Sequence, residues 1–304
     1  MIPEAFVQGT LAREGESATR WLTELPTIVE GLLSRWDCTR DGEVTHGRVG
    51  VIVPVQHARG PAVLKVSFPH PGNVHEPDAF VAWNGCGAVR LYERDDEQFA
   101  ILLERAQPST LGELGDGDEI AVAAGQLSRR LAIPAPGGLP RLADQADRWA
   151  EELRQGVVDF PGAVPKASVD TALAVVGELG RDQPDLLVHG DFHQRNILPS
   201  AREPWLAVDP KGCTGDPAYD GATFLKPRAL ALSSSADLTK ALHHELDLYA
   251  GAAELDRERV RGWAHLQAVQ AAFHGRRHGF GRARGGPELD RILALVDQLV
   301  VSWC

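Results

Sequence analysis

Residues 188–198 read VHGDFHQRNIL. Two histidines, an aspartate, an arginine and an asparagine are packed between two apolar runs, and polar density of that kind marks a site. Two chemistries compete for it. His189, Asp191 and His193 alternate along the chain. Alternate residues of an extended strand share a face, so the three form a candidate metal trio for a hydrolase. Asp191 and Asn196 instead form half of a phosphoryl-transfer site. There a carboxylate faces the acceptor hydroxyl while hard oxygen ligands hold Mg2+.

The sequence just downstream separates the two. NIL (196–198) and WLAVD (205–209) flank the turn-forming PSAREP, and the midpoint between Asn196 and Asp209 falls inside that turn, at about Arg202. A hairpin so centred brings the Asn196 amide and the Asp209 carboxylate side by side at its open end. Such a pair suits Mg2+, which prefers a few hard oxygens plus phosphate oxygens and water. Asp191 then sits on the loop before the hairpin, placed to meet a hydroxyl beside a metal-held phosphate. The hydrolase reading needs further ligands, and the other nine histidines form no partner motif.

Farther out, the chain divides by its periodicities. Residues 1–35 have apolar positions at helical spacing, with Pro26 as an expected break or kink. VGVIVPVQ and AVLKVSF around HARGP, then AVRLYE and QFAILLE around RDDE, read as two strand pairs. A short helix is expected between them over 76–83. Beyond Glu104 helices dominate, at about 118–133, 142–155 and 168–179 and again toward the C-terminus, interrupted by a strand-like island over 186–209. The expected organisation is α+β and bilobal: a sheet-rich lobe over 1–104 and a mostly helical lobe over 105–304, with a hinge near 103–108. A cleft between lobes is the default place for a ligand.

Composition narrows the partners. The 304 residues are 43% hydrophobic and 24% charged, enough for two cores. The 31 basic and 42 acidic residues give a net charge of −11, which disfavours nucleic acid and suits a cationic small molecule. Carboxylates of HHELDLYAGAAELDRE (243–258) are candidates to line such a pocket, against the commoner role of a solvated helix face. Cys38, Cys86, Cys213 and Cys304 are far apart and form no C-x-x-C, which argues against a local zinc site or a disulfide framework. MIPEAFVQGTLAREGE lacks the pattern of a signal peptide, and no apolar run is long enough to span a bilayer. A cytoplasmic protein with no membrane partner is expected. Nothing in the sequence bears on oligomeric state.

His189-x-Asp191-x-x-x-x-Asn196 followed by Asp209 resembles the catalytic loop and metal-binding aspartate of the protein-kinase-like fold. HGDFHQRN resembles the aminoglycoside phosphotransferase family more than protein kinases. The segment VDPKGCTGDPAYD (208–220) supplies the matching G-D-P-x-x-D in Gly215, Asp216, Pro217 and Asp220. REPWLAVDPKGCTGDPAYD is similar to the branch holding streptomycin 6-phosphotransferases and hydroxyurea phosphotransferases. The resemblance implies ATP and Mg2+, a hydroxyl-bearing small-molecule acceptor, and a role in antibiotic resistance, with a metabolic sugar or amino-sugar kinase as the alternative. It further implies that Asp191 orients or deprotonates the acceptor, that Asn196 and Asp209 hold the metal, and that Lys65 holds the α- and β-phosphates. Glu76 is the implied partner of Lys65, with Glu93 and Glu104 as alternatives. Gly47 and Gly50 of THGRVG would cover the phosphates, and backbone groups of Glu104 and Ala106 would meet the adenine. His189, Asp216 and Asp220 are expected to support the loop, Asp216 chiefly as a helix cap. Pro210 and Lys211 follow Asp209 where protein kinases have Phe-Gly, so no activation switch of that kind is expected. The presence of the lysine, the base and both metal ligands argues against a non-catalytic nucleotide-binding module.

Overall fold

Two hydrophobic cores organise the chain. The structure, a computed structural model, describes residues 2–280 and 283–304. Helices α1 (Glu4–Glu14) and α2 (Glu16–Arg35) lead into strands β1 (Thr39–Arg40), β2 (Thr45–His46), β3 (Gly50–His57) and β4 (Gly60–Ser67). Helix α3 (Glu76–Trp83) and strands β5 (Leu91–Asp95) and β6 (Ala100–Glu104) follow. The strands form one antiparallel sheet in the order β1-β3-β4-β6-β5, with β2 also on β3. On β3 the β-branched Val51, Val53 and Val55 alternate inward and are fully buried. They meet Leu64 and Val66 of β4, Leu102 of β6, and the stripe Leu25, Val29 and Leu32 of α2.

Pro26 does not break α2, which runs through it. Its ring costs about 3 kcal/mol in a helix interior. The residue lies on the exposed face, where water can take up the freed carbonyl, while Leu25 and Val29 are buried on either side. Burying two such side chains is worth roughly 1.5–3 kcal/mol each, which outweighs the proline.

Beyond β6 the chain is mainly helical. It comprises α4 (Gly117–Leu131), α5 (Ala146–Asp159), α6 (Lys166–Val175), β7 (Leu186–Val188), β8 (Ile197–Leu198), β9 (Leu206–Ala207), β10 (Cys213–Gly215), α7 (Ala218–Ala231), α8 (Leu238–Ala253), α9 (Arg257–His278) and α10 (Gly286–Ser302). Asp116, Asp237 and Asp256 cap α4, α8 and α9 through backbone N–H groups of the first turn. The second core gathers residues such as Trp83, Phe192, Phe224, Tyr249 and Trp263. No helix among the described residues is long and apolar enough to cross a membrane, and all four cysteines are free.

Carboxylates of the acidic stretch 243–258 are taken up in ion pairs with arginines. Glu245 is buried and takes two Nε contacts from Arg228, at 2.9 and 3.1 Å. Asp247 pairs with Arg257, and Glu254 with Arg129.

Helices α4 and α8 approach closely at Gly125. A Cβ there would lie 2.5 Å from the Tyr249 carbonyl oxygen and 2.8 Å from Ala252 Cβ. Alanine gains about 1 kcal/mol of helix propensity over glycine, but a backbone oxygen cannot rotate away, and overpacking costs about 1–3 kcal/mol. Gly125→Ala is therefore expected to lower the urea midpoint. A raised midpoint would show that the helices part freely.

Candidate active site

Strand β4 presents Lys65 toward the cleft between the two cores. Its Nζ donates to Glu76 Oε1 and Oε2 at 2.7 and 2.8 Å and also to Asp209 Oδ1. Lys65 and Glu76 are only 8% and 3% exposed, so each charge depends on the others for compensation. Burial pushes the Glu76 carboxyl up, against the pull of Lys65. Asp209 is held well below the usual carboxylate range, first by the Lys65 charge. Burial disfavours the Lys65 charge, but the two carboxylates outweigh it and hold the ammonium above its ordinary value. Of the three glutamates weighed from sequence, Glu76 is the one beside Lys65. Glu93 lies on β5, and Glu104 accepts from Arg202 at 2.8 and 3.1 Å.

Strands β8 and β9 pair as a hairpin, with Ile197 opposite Ala207 and Leu198 opposite Leu206. Val208 N–H donates to the Asn196 carbonyl at 2.9 Å, closing the hairpin's open end. Asn196 Nδ2 donates to the Asp191 carbonyl at 3.0 Å, which fixes the amide and leaves its oxygen without a partner among the described residues. Asp209 adopts φ +60, a conformation that costs a non-glycine residue of order 1–3 kcal/mol and recurs at functional positions. Three residues on, Gly212 has φ +65, and a Cβ there would lie 2.4 Å from the His75 carbonyl oxygen at the start of α3. Only glycine lets this loop lie against the helix that carries Glu76.

The loop bearing Asp191 is held from below. Asp220 accepts the N–H groups of His189 at 2.8 Å and Gly190 at 2.9 Å. Burial pushes Asp220 up to about 7, against those two bonds. His189 is fully buried. Its Nε2 contacts the Val208 carbonyl at 3.0 Å, and its Nδ1 accepts from the Asp191 N–H at 3.3 Å. Both ring nitrogens are thus engaged, and burial lowers the imidazole to about 4, so the ring is a neutral strut. The metal trio loses its first ligand on this geometry. Among the described residues no group of three or more His, Cys, Asp or Glu side chains is arranged to hold a metal. Asp191 itself is half-buried and faces His193 Nε2 at 3.7 Å, an imidazole whose protonation burial disfavours.

Asp216 has three internal partners. It caps α7 through Ala218 N–H at 3.0 Å and accepts from Trp263 Nε1 at 2.6 Å and Arg259 Nε at 2.5 Å. Its own N–H donates to the buried Gln183, a residue that gave no sequence signal.

Two chambers flank this region, and the first opens on the Lys65–Glu76–Asp209 cluster. The first, of about 920 Å³, is lined by Gly47, Gly50, Lys65, Glu104, Ala106 and Asp209, among others. A Cβ on Gly50 would lie 2.8 Å from the Val66 carbonyl oxygen, so this glycine also serves the close pairing of β3 with β4; around Gly47 there is open space. The Ala106 N–H takes no hydrogen-bond partner among the described residues, while its neighbours Arg105 and Gln107 donate to Pro61 and Pro199. The second chamber, of about 730 Å³, lies among α5, α7, α9 and α10, with Trp149, Tyr219, Lys226, Gln267 and Leu299 in its wall. The Gln267 amide oxygen there is buried and has no hydrogen-bond partner among the described residues. The Asp191 charge is felt by both Tyr219 and Lys226, which sets the loop beside this chamber. Arg48 and Arg195 line both chambers. Sequence reasoning missed these two arginines, as well as Lys226, Gln267 and Arg202.

A sheet-rich lobe with a buried Lys–Glu pair, set over a helical lobe carrying this loop and hairpin, defines a small-molecule kinase of the protein-kinase-like fold. The chain belongs to the aminoglycoside/hydroxyurea antibiotic resistance kinase family, whose model matches residues 35–279. It is 34% identical over 275 residues to a streptomycin 6-kinase of Streptomyces glaucescens, covering 90% of each chain. It is also 34% identical over 278 residues to a hydroxyurea phosphotransferase of Kitasatospora aureofaciens, covering 88% of this chain and 78% of that one. Among solved structures, a thermostable mutant of aminoglycoside phosphotransferase APH(4)-Ia in ternary complex with ADP and hygromycin B shares the fold. Its TM-score is 0.52 at 14% identity, over 90% of this chain and 97% of that chain.

Proposed function

We propose that the protein transfers the terminal phosphoryl group of ATP to a hydroxyl of an aminoglycoside of the streptomycin type, conferring resistance, with hydroxyurea as the second acceptor to test. The observation that carries this reading is the pairing of the Lys65–Glu76–Asp209 cluster in one chamber with a second chamber whose Tyr219 and Lys226 feel the Asp191 charge, Asp191 being tied through its carbonyl to Asn196. Nucleotide phosphates in the first chamber would lie against Lys65, with the adenine toward the backbone of Glu104 and Ala106. Residues 1–104 and 105–304 serve as the two lobes in this reading.

The acceptor hydroxyl oxygen forms a bond to the terminal phosphorus, the bond from that phosphorus to the bridging oxygen breaks, and ADP leaves. Asp191 takes up the hydroxyl proton or orients that hydroxyl for in-line attack. The free amide oxygen of Asn196 and the Asp209 carboxylate fit Mg2+, which prefers hard oxygens in small number. Bound there, Mg2+ would neutralise charge on the phosphates. His189 and Asp220 keep Asp191 aimed, and Asp216 anchors the segment that follows.

Chamber size favours the larger acceptor. A cavity of about 730 Å³ suits a drug-sized molecule, whereas hydroxyurea would leave most of it to water. The unpartnered Gln267 oxygen favours an acceptor rich in N–H or O–H donors. A cationic acceptor remains part of the proposal on the net charge of −11, with Glu152 the carboxylate in the chamber wall.

The test is mass spectrometry of streptomycin, other aminoglycosides, hydroxyurea and amino sugars incubated with protein and Mg-ATP. Phosphate added to streptomycin supports the reading. Phosphate added only to an amino sugar would make the protein a metabolic kinase. No adduct on any of them would remove the acceptor assignment.

A further inference from the structure

Arg48 and Arg195 come from opposite sides of the cleft. Arg48 lies in the turn between β2 and β3, beside Gly47, and Arg195 lies on the loop between Asp191 and Asn196. Each lines both chambers, so the two mark the passage between them. Each is exposed and makes no hydrogen bond or ion pair among the described residues. That is notable in a chain with 42 acidic against 31 basic residues, where most arginines found a carboxylate. The charge of Arg195 reaches His193, which in turn is 3.7 Å from Asp191.

The passage has a charge problem. Asp209 and Glu76 stand together in the chamber that would take a triphosphate, Lys65 is already shared between them, and the Asp191 charge acts on His189 alongside that of Asp209. A terminal phosphoryl group brought there adds further negative charge, and more spreads onto its oxygens during transfer. A guanidinium presents several N–H donors in a fork that matches phosphate oxygens, remains charged at any working pH, and is more weakly hydrated than an ammonium. An arginine without an internal partner has no bond to break before meeting such an anion.

We propose that Arg48 and Arg195 grip the terminal phosphoryl group from the two sides of the cleft, holding it in the passage while it moves from nucleotide to acceptor. Both are then catalytic residues, because they touch the reacting group. Arg195 acts from the loop that carries Asp191, so phosphoryl group and acceptor are aligned by one segment. Arg48 acts from the glycine turn, so closure of that turn over the nucleotide completes the grip. The inference rests on the nucleotide reading given above.

The two fail differently in one experiment. Calorimetric titration would compare ADP with the non-hydrolysable analogue AMP-PNP, each with Mg2+, on wild type, Arg48→Ala, Arg195→Ala and Arg195→Lys. Loss of a charged phosphate contact should weaken AMP-PNP about tenfold or more while ADP stays within about twofold. The rate constant for transfer should fall by about 10²–10³, the cost of one donor to developing charge. Lysine at 195 should recover part of the AMP-PNP affinity and less of the rate, since it keeps charge but not the fork. Equal weakening of ADP and AMP-PNP would show a structural role and overturn the inference. So would alanine variants that keep both AMP-PNP affinity and rate. If wild-type protein binds neither nucleotide, the nucleotide reading itself falls, and this one with it.

Discussion

An Asp191→Asn enzyme is expected to lose phosphotransfer by about 10²–10⁴ while still folding and binding nucleotide. The size of the loss follows from what asparagine lacks. It is nearly isosteric with aspartate but has no charge to orient an acceptor hydroxyl and no basicity to take its proton. The selectivity of the loss follows from how the loop is built. Asn196 Nδ2, the clamp on this turn, bonds the Asp191 backbone carbonyl rather than its side chain. The loop is otherwise fixed by Asp220 on the two preceding N–H groups and by the His189 ring. The Asp191 carboxylate has no hydrogen bond among the described residues to give up, and the His193 ring it faces lies 3.7 Å away. Stability should therefore stay within about 0.5 kcal/mol of wild type, as for a surface substitution away from such bonds. Steady-state rates, urea midpoints and ADP titration of the same preparation check all three parts. A variant that turns over at the wild-type rate would remove Asp191 from the chemistry. One that unfolds would make it a structural residue.

How much of this was legible beforehand depended on sequence distance. The Asn196–Asp209 hairpin was readable because both residues and the turn between them lie within one short segment, where spacing alone centres the fold-back on PSAREP. Strands β3 and β4 were readable because valine alternation carries its own signal. Strands β1, β2 and β10 were not expected. At two or three residues they hold no period, and they exist only because β3 and β7 offer them a ladder. Pro26 misled because local rules see the lost N–H bond but not the core holding the helix on both sides. The acidic run 243–258 suggested a pocket because sequence shows charges and not their partners, and Arg228, Arg257 and Arg129 come from elsewhere in the chain. Arg48 and Arg195 are far apart in sequence, and only the tertiary fold brings both to the passage. The same is true of Arg202, which reaches from the β8–β9 turn to Glu104 and to the Gly85 and Ala88 carbonyls.

Replacing Lys65 should give the largest loss of stability at this site, and the loss should depend on pH. Lys65 is the shared counter-charge of Glu76 and Asp209, and it is nearly as buried as Glu76. Removing one partner of a buried pair leaves an uncompensated charge and typically costs about 3–5 kcal/mol. Lys65→Met keeps most of the aliphatic stem, so its effect is electrostatic before it is a matter of packing. The pH sign follows from Glu76. Its carboxyl is already pushed up in the folded protein by burial, even with Lys65 present to pull it down. Without the ammonium, and with Asp209 still close, it must rise further. A carboxyl whose folded pKa exceeds its unfolded value of about 4.3 binds a proton more tightly when folded, so its contribution is most favourable below that value and is lost as pH rises through the folded one. Asp209 runs the other way in wild type. Lys65 depresses it, so its contribution is present above its unfolded value and lost only on strong acidification. The stability gap between wild type and Lys65→Met should therefore be widest in mildly alkaline solution and should narrow as pH falls through the raised Glu76 value, without closing, because the Asp209 contribution is lost only on stronger acidification. Urea midpoints at about pH 8 and about pH 5.5 would measure it. A gap of the same size at both would mean that the lost ammonium was not what held the two carboxylates. Glu76→Gln added to Lys65→Met should recover much of the loss at the higher pH, because it removes the buried charge that the first substitution strands.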